Sequence, residues 1–299
     1  MSSAASKKTD AQRPSVFDNL FYSLPDLHTQ HSPQSPAYQQ LKQQVKEEVR
    51  ALFSGNGVVP QFGPFGSLKF PYVEMGNIST LNLFEMDELI IFSFYWLNRR
   101  RYQRVLDIGA NLGLHSIILD KCGYSVSAYE PDPTHFKILN RNLESNNCKK
   151  VKTFNAAVSS RTGTMEFVRV LGNTTGSHLA GSKPNPYGRL EKFPVPVVAI
   201  RDIIVEANLI KLDAEGHEKE ILTATSQEHW LNLDALVEIS HERNARAVYD
   251  HFAQIKVGLF SQKTNWQKVS RLEDMPMSHH EGTLFVTMKT AMPWMTSGE

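Results

Sequence analysis

The sequence predicts an α/β protein: a three-layer, mostly parallel, Rossmann-like sheet preceded by an N-terminal helical extension. Three observations predict it. Short aliphatic runs alternate with amphipathic segments from Arg104 onward, and strands separated by helices imply parallel pairing with right-handed crossovers. A glycine-rich turn, Asp107-Ile108-Gly109-Ala110-Asn111-Leu112-Gly113, joins the first aliphatic run to the first of those helices. In a doubly wound sheet that turn borders the ligand crevice. Finally, 299 residues that are 41% hydrophobic and 21% charged can bury a large core.

The elements follow in order. Residues 1–37, rich in Ser, Gln, Pro and Lys, read as a flexible N-terminal segment with a short docking element at 16–24. Residues 38–100 read as the extension. Within it Leu41, Val45, Val49 and Leu52 recur at helical spacing over 38–53, and Gly55-Asn56-Gly57 ends that helix. A strand is expected at 68–73. A helix is expected at 85–98, with early acids and with Arg99, Arg100 and Arg101 just beyond it, an order that suits the helix dipole. The main domain spans 101–290. Its strands are expected at 104–108, 124–129, 151–155, 209–212, 235–239 and 283–288, and its helices at 114–122, 134–146 and 217–225. A hairpin turning at Arg161-Thr162-Gly163, with 164–170 as its second arm, opens a longer excursion. The insertion 171–193, rich in Gly and containing Pro184 and Pro186, reads as a lid or substrate loop. Residues 291–299 form a tail.

Composition excludes several classes. Lys plus Arg is 32 and Asp plus Glu is 31, a net charge of +1, so no global field draws the chain to nucleic acid or to an anionic membrane. The two cysteines, Cys122 and Cys148, make neither a disulfide framework nor a multi-cysteine zinc site. A reducing, cytoplasmic setting is expected. The first twenty residues carry no apolar core, so a secretory signal is not expected. The apolar run 89–97 is too short for a bilayer, which needs about 20 residues.

The glycine turn is the sharpest motif. A dinucleotide fingerprint needs glycine at its first, third and sixth positions, and here Asn111 and Leu114 fill the last two. That argues against a pyrophosphate. Asp107, at the first strand tip, suits a cationic group. Glu130, at the end of the second strand, stands where an acid holds a ribose diol. An adenosine joined to an amino acid through a sulfonium meets both conditions: S-adenosylmethionine.

The blocks VLDIGANLG, YEPDP, NAAVSS with Gly163 after it, IKLDAEGHEKEIL and LVEIS together resemble the FkbM-type methyltransferases, class I enzymes dependent on S-adenosylmethionine. The resemblance spans about 104–240. The block Lys211-Leu212-Asp213-Ala214-Glu215-Gly216 narrows it to this family, and His217 departs from the small residue expected next. The resemblance implies O-methylation of natural products, sugars or lipids. It implies a cofactor set of Asp107, Gly109, Ala110, Asn111 and Gly113 at the amino-acid end, and Glu130 at the ribose. Pro131, Asp132, Asn155 and Ala156 would lie by the adenine, and Asp213 beside the reactive methyl.

An alcohol acceptor must lose a proton, and a carboxylate or imidazole in hydrogen-bond reach can take it. The candidates are Asp213, Glu215, His217, Glu238 and His241. Glu218 and Glu220 are expected to be solvated. His115 is a weaker candidate for the acceptor side, with a packed or surface role as the plainer reading. Asn173, Thr174, Thr175, Ser177 and His178 are either lid contacts or ordinary turn residues. His279 and His280 are expected to do nothing specific, and no ligand spacing singles out a metal. The expected acceptor is a small molecule or glycan, with carboxyl or amine methylation of a peptide or protein as the alternative. A non-catalytic nucleoside-binding protein and an NAD-linked one are further alternatives. No Asn/Asp-Pro-Pro-aromatic block follows the fourth strand, and neither cysteine follows a proline, so a nucleic-acid acceptor is not expected. Oligomeric state is not legible.

Overall fold

The computed structural model describes residues 15–53, 57–183 and 188–294. Residues 1–14, Gly55-Asn56 of the helix stop, Pro184, Pro186 and the tail from 295 lie outside the described residues, as does the side chain of Leu52.

The extension comprises α1 (Phe17–Ser23), α2 (Pro36–Phe53), a small antiparallel pair β1 (Val58–Val59) and β2 (Leu68–Lys69), and α3 (Met86–Leu97). From Ser15 on, the segment expected to be flexible is packed. Phe17, Leu20 and Phe21 are buried, Phe21 meets Phe62 and Phe65 edge-on, and Ser93 Oγ donates to the Phe21 carbonyl at 2.7 Å. Three aromatic and aliphatic side chains at helical spacing outweigh the polar composition around them. The expected strand at 68–73 shrinks to two residues, and Pro71 just beyond has no N–H for a ladder. α3 is apolar on almost every side because α1, α2 and α4 all touch it.

The main domain runs β3 (Arg104–Ile108), α4 (Leu114–Lys121), β4 (Ser125–Tyr129), α5 (Pro133–Ser145) and β5 (Val151–Phe154). Then come β6 (Ala157–Ser159), β7 (Gly163–Val170), β8 (His178–Leu179), β9 (Leu190–Ala199) and α6 (Ile200–Ile203). It ends with β10 (Leu209–Leu212), α7 (Glu218–Leu222), β11 (Asp234–Glu238), α8 (Glu242–Ile255), β12 (Gly258–Ser261), β13 (Gln267–Lys268) and β14 (Thr283–Thr287). The eight-stranded sheet is ordered β13-β12-β14-β11-β10-β3-β4-β5. Strands β11, β10, β3, β4 and β5 are parallel, and β14 runs antiparallel to both of its neighbours. This is the expected α/β fold with a mostly parallel central sheet.

The hairpin is a correction. β6 and β7 do not pair with each other across Arg161-Thr162-Gly163; both pair with β9, β6 parallel and β7 antiparallel. The last four residues of the expected loop 171–193 are therefore strand, the start of β9. A four-stranded sheet β6-β9-β7-β8 stands beside the crevice with its own small core of Phe167, Leu179, Val195 and Val197. α7 is also shorter than 217–225. Thr223 and Thr225 turn their hydroxyls back onto the carbonyls of Lys219 and Leu222, a bond that competes with helix propagation.

Register sets the chemistry of each sheet face. Val105 and Asp107 of β3 lie opposite Leu209 and Lys211 of β10, and Lys211 lies opposite Leu236 of β11. With a period of two, Leu209, Leu236 and Phe285 pack under α3 and α4, while Ile210, Leu212 and Val237 pack on the other face. The first face turns polar at its carboxyl end, where Asp107, Lys211 and Glu238 fall. Among the described residues no helix is long and apolar enough to cross a membrane.

Candidate active site

A crevice enclosing about 600 Å³, open solvent included, lies at the carboxyl ends of β3, β4 and β10. That is where a parallel sheet presents backbone groups and loop side chains to a ligand. Asn111, Glu130, Pro131, Ala156, Asp213 and Glu215 line it. Thr174, Thr175, Ser177 and His178 of the insertion close its far side.

The turn owes its glycines to chain packing. Gly109 has φ +80°, and a Cβ there would lie 1.7 Å from the Asp213 carbonyl oxygen, so only glycine lets the β3 and β10 ends meet. Gly113 has φ +87° and abuts Leu139 of α5, its added Cβ falling 3.1 Å from Cγ. Between them Asn111 also holds a left-handed conformation, φ 52°, a strain of about 1 kcal/mol for a residue with a side chain. Its N–H donates to Glu130 Oε2 at 2.8 Å, and the Asp132 N–H donates to Oε1 at 2.7 Å. Burial pushes the Glu130 carboxyl up to about 8 against those two amides. Glu130 thus organises the loop as well as facing the crevice.

Other expected cofactor residues are placed differently. Asp107 is fully buried beneath the loop, where Ser116 Oγ donates to Oδ2 at 2.6 Å; it does not line the crevice, and neither do Ala110 and Gly113. Asn155 Nδ2 donates to the carbonyls of Glu130 and Pro131 at 2.9 and 3.0 Å, which fixes the loop from behind. Asp132 faces the crevice, but its carboxylate is committed. It caps α5 through the Thr134 and His135 N–H groups, and Arg169 donates to both its oxygens at 2.6 Å. Burial would raise the Asp132 carboxyl, but the Arg169 guanidinium and the amide bonds hold it below its ordinary value.

The loop after β10 is built around an unexpected residue. Glu218, expected to be solvated, is fully buried. It accepts from the N–H groups of Ala214 and Gly216 at 3.1 and 2.9 Å, from Ser240 Oγ at 3.2 Å, and from Asn244 Nδ2 at 2.5 Å. Glu215 projects into the crevice from a left-handed backbone, φ 50°, and Lys183 Nζ donates to it at 2.5 Å. Burial and the neighbouring Asp213 raise the Glu215 carboxyl, with Lys183 opposing. His217 faces the crevice between two hydroxyls, Ser159 Oγ at 2.7 Å from Nε2 and Ser182 Oγ at 2.9 Å from Nδ1. It joins β6 to the insertion. His241 is not brought to the crevice. Its Nδ1 accepts the Asn244 N–H at 3.2 Å as the N-cap of α8, and this bond occupies the lone pair a base would need.

Glu238 and His115 lie on the rim of a second hollow of about 400 Å³, open solvent included, with Glu88, Lys211, His279 and Thr283. His115 Nε2 stands 2.7 Å from Glu88 Oε2 and Nδ1 stands 3.0 Å from the Tyr95 hydroxyl. The ion pair of Lys211 Nζ with Asp213 Oδ2, at 3.4 Å, joins the two cavities. Lys211 is surrounded by the acids Asp213, Asp107, Glu88 and Glu238, which outweigh burial and raise its pKa. Three buried oxygens in this region, Asp107 Oδ1, Asn111 Oδ1 and Asp213 Oδ1, have no hydrogen-bond partner among the described residues. Lys183, Ser159, Arg169 and Glu88 are additions the sequence did not single out.

The Methyltransferase FkbM domain model matches residues 107–257, half of the chain. "Methyltransferase sdnD" of Sordaria araneosa is 28% identical over 163 residues, covering 42% of this chain and 61% of that one. "Methyltransferase 1" of Beauveria bassiana is 24% identical over 156 residues, covering 44% and 62%. The chain thus spans about three fifths of the length of these curated relatives. A solved precorrin-6y C5,15-methyltransferase of Geobacter metallireducens GS-15 is 11% identical with a TM-score of 0.35, covering 64% of this chain and 86% of that one. A likeness that weak carries no argument, and the fold rests on the strand order itself. With the family model covering half the chain over the β3 turn, the Glu130 loop and the Asp213 block, the chain belongs to the FkbM methyltransferase domain family.

Proposed function

We propose that the protein is an S-adenosylmethionine-dependent methyltransferase that methylates a hydroxyl of a small metabolite, natural product or glycan. One observation carries the cofactor reading. Four acidic side chains, those of Asp107, Asp213, Glu88 and Glu238, surround the buried Lys211, and the Oδ1 atoms of Asp107, Asn111 and Asp213 have no partner among the described residues. An excess of buried negative charge with idle acceptors fits a ligand that brings N–H donors and positive charge. An amino acid bearing an ammonium and a sulfonium is such a ligand, and a dinucleotide pyrophosphate is its opposite.

When bound, the cofactor supplies an electrophilic methyl. The chain's own residues do the rest. Asn111 and Asp213 would hold the amino-acid end, and Glu130 would face the ribose with the second lone pair of each oxygen. The insertion, latched by Lys183 to Glu215, shields the crevice from water. Glu215, a carboxylate raised toward neutral pH, would take the acceptor's proton.

Isothermal calorimetry tests this. S-adenosylmethionine and S-adenosylhomocysteine should bind, and NAD should not. Because a cation favours the charged form of Glu130, Glu215 and Glu238, whose carboxyls are all raised, S-adenosylmethionine should release protons at pH 7 and S-adenosylhomocysteine fewer. Comparing buffers of different ionisation enthalpy reads that release. Binding of NAD alone would sink the assignment.

A further inference from the structure

The crevice occupies the carboxyl edge of the central sheet, and a different surface forms at the amino edge. The connections into β10 and β11 each pass there through a 3₁₀ turn, Ile204–Glu206 and Gln227–Trp230. Because β14 runs antiparallel to β11, its last residue Thr287 and the following Met288 fall at the same edge. Val205, Leu231 and Met288 therefore line one hollow, and they are 72%, 63% and 38% exposed. Aliphatic side chains scattered singly over a surface need no explanation, but three from separate connections gathered at one place mark an interaction surface.

That hollow, of about 1050 Å³, adjoins another of about 730 Å³, both volumes including open solvent, and Val205 and Leu231 line both. The charges of the two differ. The first is lined by Arg101, Arg104 and Lys289. Its one acid, Asp234, is buried and spent, accepting from the Tyr102 hydroxyl at 2.6 Å and pairing with Lys289. Arg101 Nε donates to Asn98 Oδ1 at 2.9 Å and Arg104 Nε to the Glu206 carbonyl at 2.5 Å, and among the described residues neither guanidinium has a carboxylate partner. The second hollow carries Glu228 and neither Lys nor Arg, and among the described residues Glu228 makes no ion pair. The surface is an apolar ridge with uncompensated positive charge at one end and negative charge at the other.

An occupant has to match all three features. An anionic membrane would meet Glu228 with like charge, and an acidic peptide would leave it unpaired. A second copy of the chain, turned about a two-fold axis through the ridge, reverses the order of the ends, so that the cationic end of each copy faces the acidic end of the other. Both ridges then leave water together, and the charge pairs at the rim set the register.

We infer that the protein forms a two-fold dimer through the amino edge of its central sheet, with Val205 and Leu231 at the centre of the interface and Arg104 of each copy paired with Glu228 of the other. The crevices lie at the opposite edge and stay open in such a dimer, and the inference is independent of what they bind.

Sedimentation velocity and light scattering of the full chain test this, over concentrations from about 1 to about 100 μM. The mass should rise to twice that of the chain. Leu231→Glu should raise the dimer dissociation constant at least about tenfold, as the loss of a central apolar contact does. Glu228→Arg and Arg104→Glu each set like charges against one another and should weaken the dimer by a similar factor. Together they should bring it back to within about threefold of wild type, because the two-fold pairs each new glutamate with a new arginine. Circular dichroism verifies that each variant is folded, and the charge exchange decides the matter even where Leu231→Glu is not. A chain monomeric throughout the range, a dimer indifferent to Leu231→Glu, or single reversals whose losses add in the double variant overturns the inference. So does a monomer that binds phosphatidylserine vesicles or a poly-glutamate peptide through Leu231, which would assign this edge to a membrane or to an acidic protein.

Discussion

At Glu215 a raised carboxyl, a left-handed backbone and a lysine latch fall on one residue. Strain is tolerated where surrounding structure over-determines it, and here Glu218 supplies that structure by accepting the amides on both sides of Glu215. As the proton acceptor, Glu215 must be ionised. Its raised pKa then places the acid limb of the rate profile above the ordinary carboxylate range, with turnover climbing as pH rises through that limb. Glu215→Gln should lower turnover about 100-fold and flatten the limb, since a general base contributes on the order of 10²–10⁴. S-adenosylhomocysteine affinity should change much less, because on the proposed reading the cofactor's cationic end would be held by Asn111 and Asp213. An unchanged rate and limb in the variant would remove Glu215 from the chemistry. The same residue-scale logic separates Asp213, with one oxygen unsatisfied, from His241, whose ring is spent on capping a helix.

At the scale of elements, the sequence was most legible where period, cap and length agreed. β3, α4, β4, α5 and β5 each carry one clear pattern, and Asp132-Pro133 announces α5 as N-cap and first-turn proline. β9 was hidden by Pro194 and Pro196, which argue against a strand; the structure accommodates them because β6 pairs only with Val197, Val198 and Ala199, leaving both prolines outside that ladder. α8, where no helix is expected from the sequence, carries Ala245, Val248 and Phe252 at helical spacing. Glu218 could not be recognised, because its partners Ser240 and Asn244 belong to the next βα connection. The small sheet is tied to α5 by Arg169 on Asp132, with side chains 16% and 1% exposed. Arg169→Ala would strand a buried carboxylate at a helix cap and should cost about 2 kcal/mol at pH 7. The sign follows from the lowered Asp132 pKa: the pair stabilises above the unfolded carboxylate value and loses its effect as pH falls through the folded one. Urea unfolding of wild type and variant should therefore differ most at pH 7, the gap narrowing as pH falls toward 3. A constant gap at both pH values would mean that packing, not charge, holds the joint.

At the scale of the whole molecule, the near-neutral charge hides a division of labour, with acids gathered at the carboxyl edge of the sheet and the first and last described segments closed together against α3. One continuous core runs from Phe17 through Phe94 and Phe285 to Trp294, so the extension and the methyltransferase sheet share a single interior and should unfold together. His31 stands at the closure. Its Nε2 lies 2.9 Å from the Leu24 carbonyl, and its Nδ1 receives the Trp266 indole N–H at 3.0 Å, with the Trp294 ring packed edge-on. That pattern requires the neutral ring with its hydrogen on Nε2, since a proton on Nδ1 would face another donor. Burial accordingly holds the ring down at about 3, against the carbonyl bond that favours its charged form. An unfolded histidine titrates near 6.5, so between those values the unfolded chain binds the extra proton and stability falls as pH is lowered. From pH 7 to pH 4.5 the loss attributable to this one ring should be on the order of 2 kcal/mol. His31→Gln can keep both bonds, its amide nitrogen donating to Leu24 and its oxygen accepting from Trp266, and it cannot titrate. Urea midpoints measured at the two pH values should therefore fall further for wild type than for His31→Gln. Parallel losses would show that the acid sensitivity of the closure originates elsewhere.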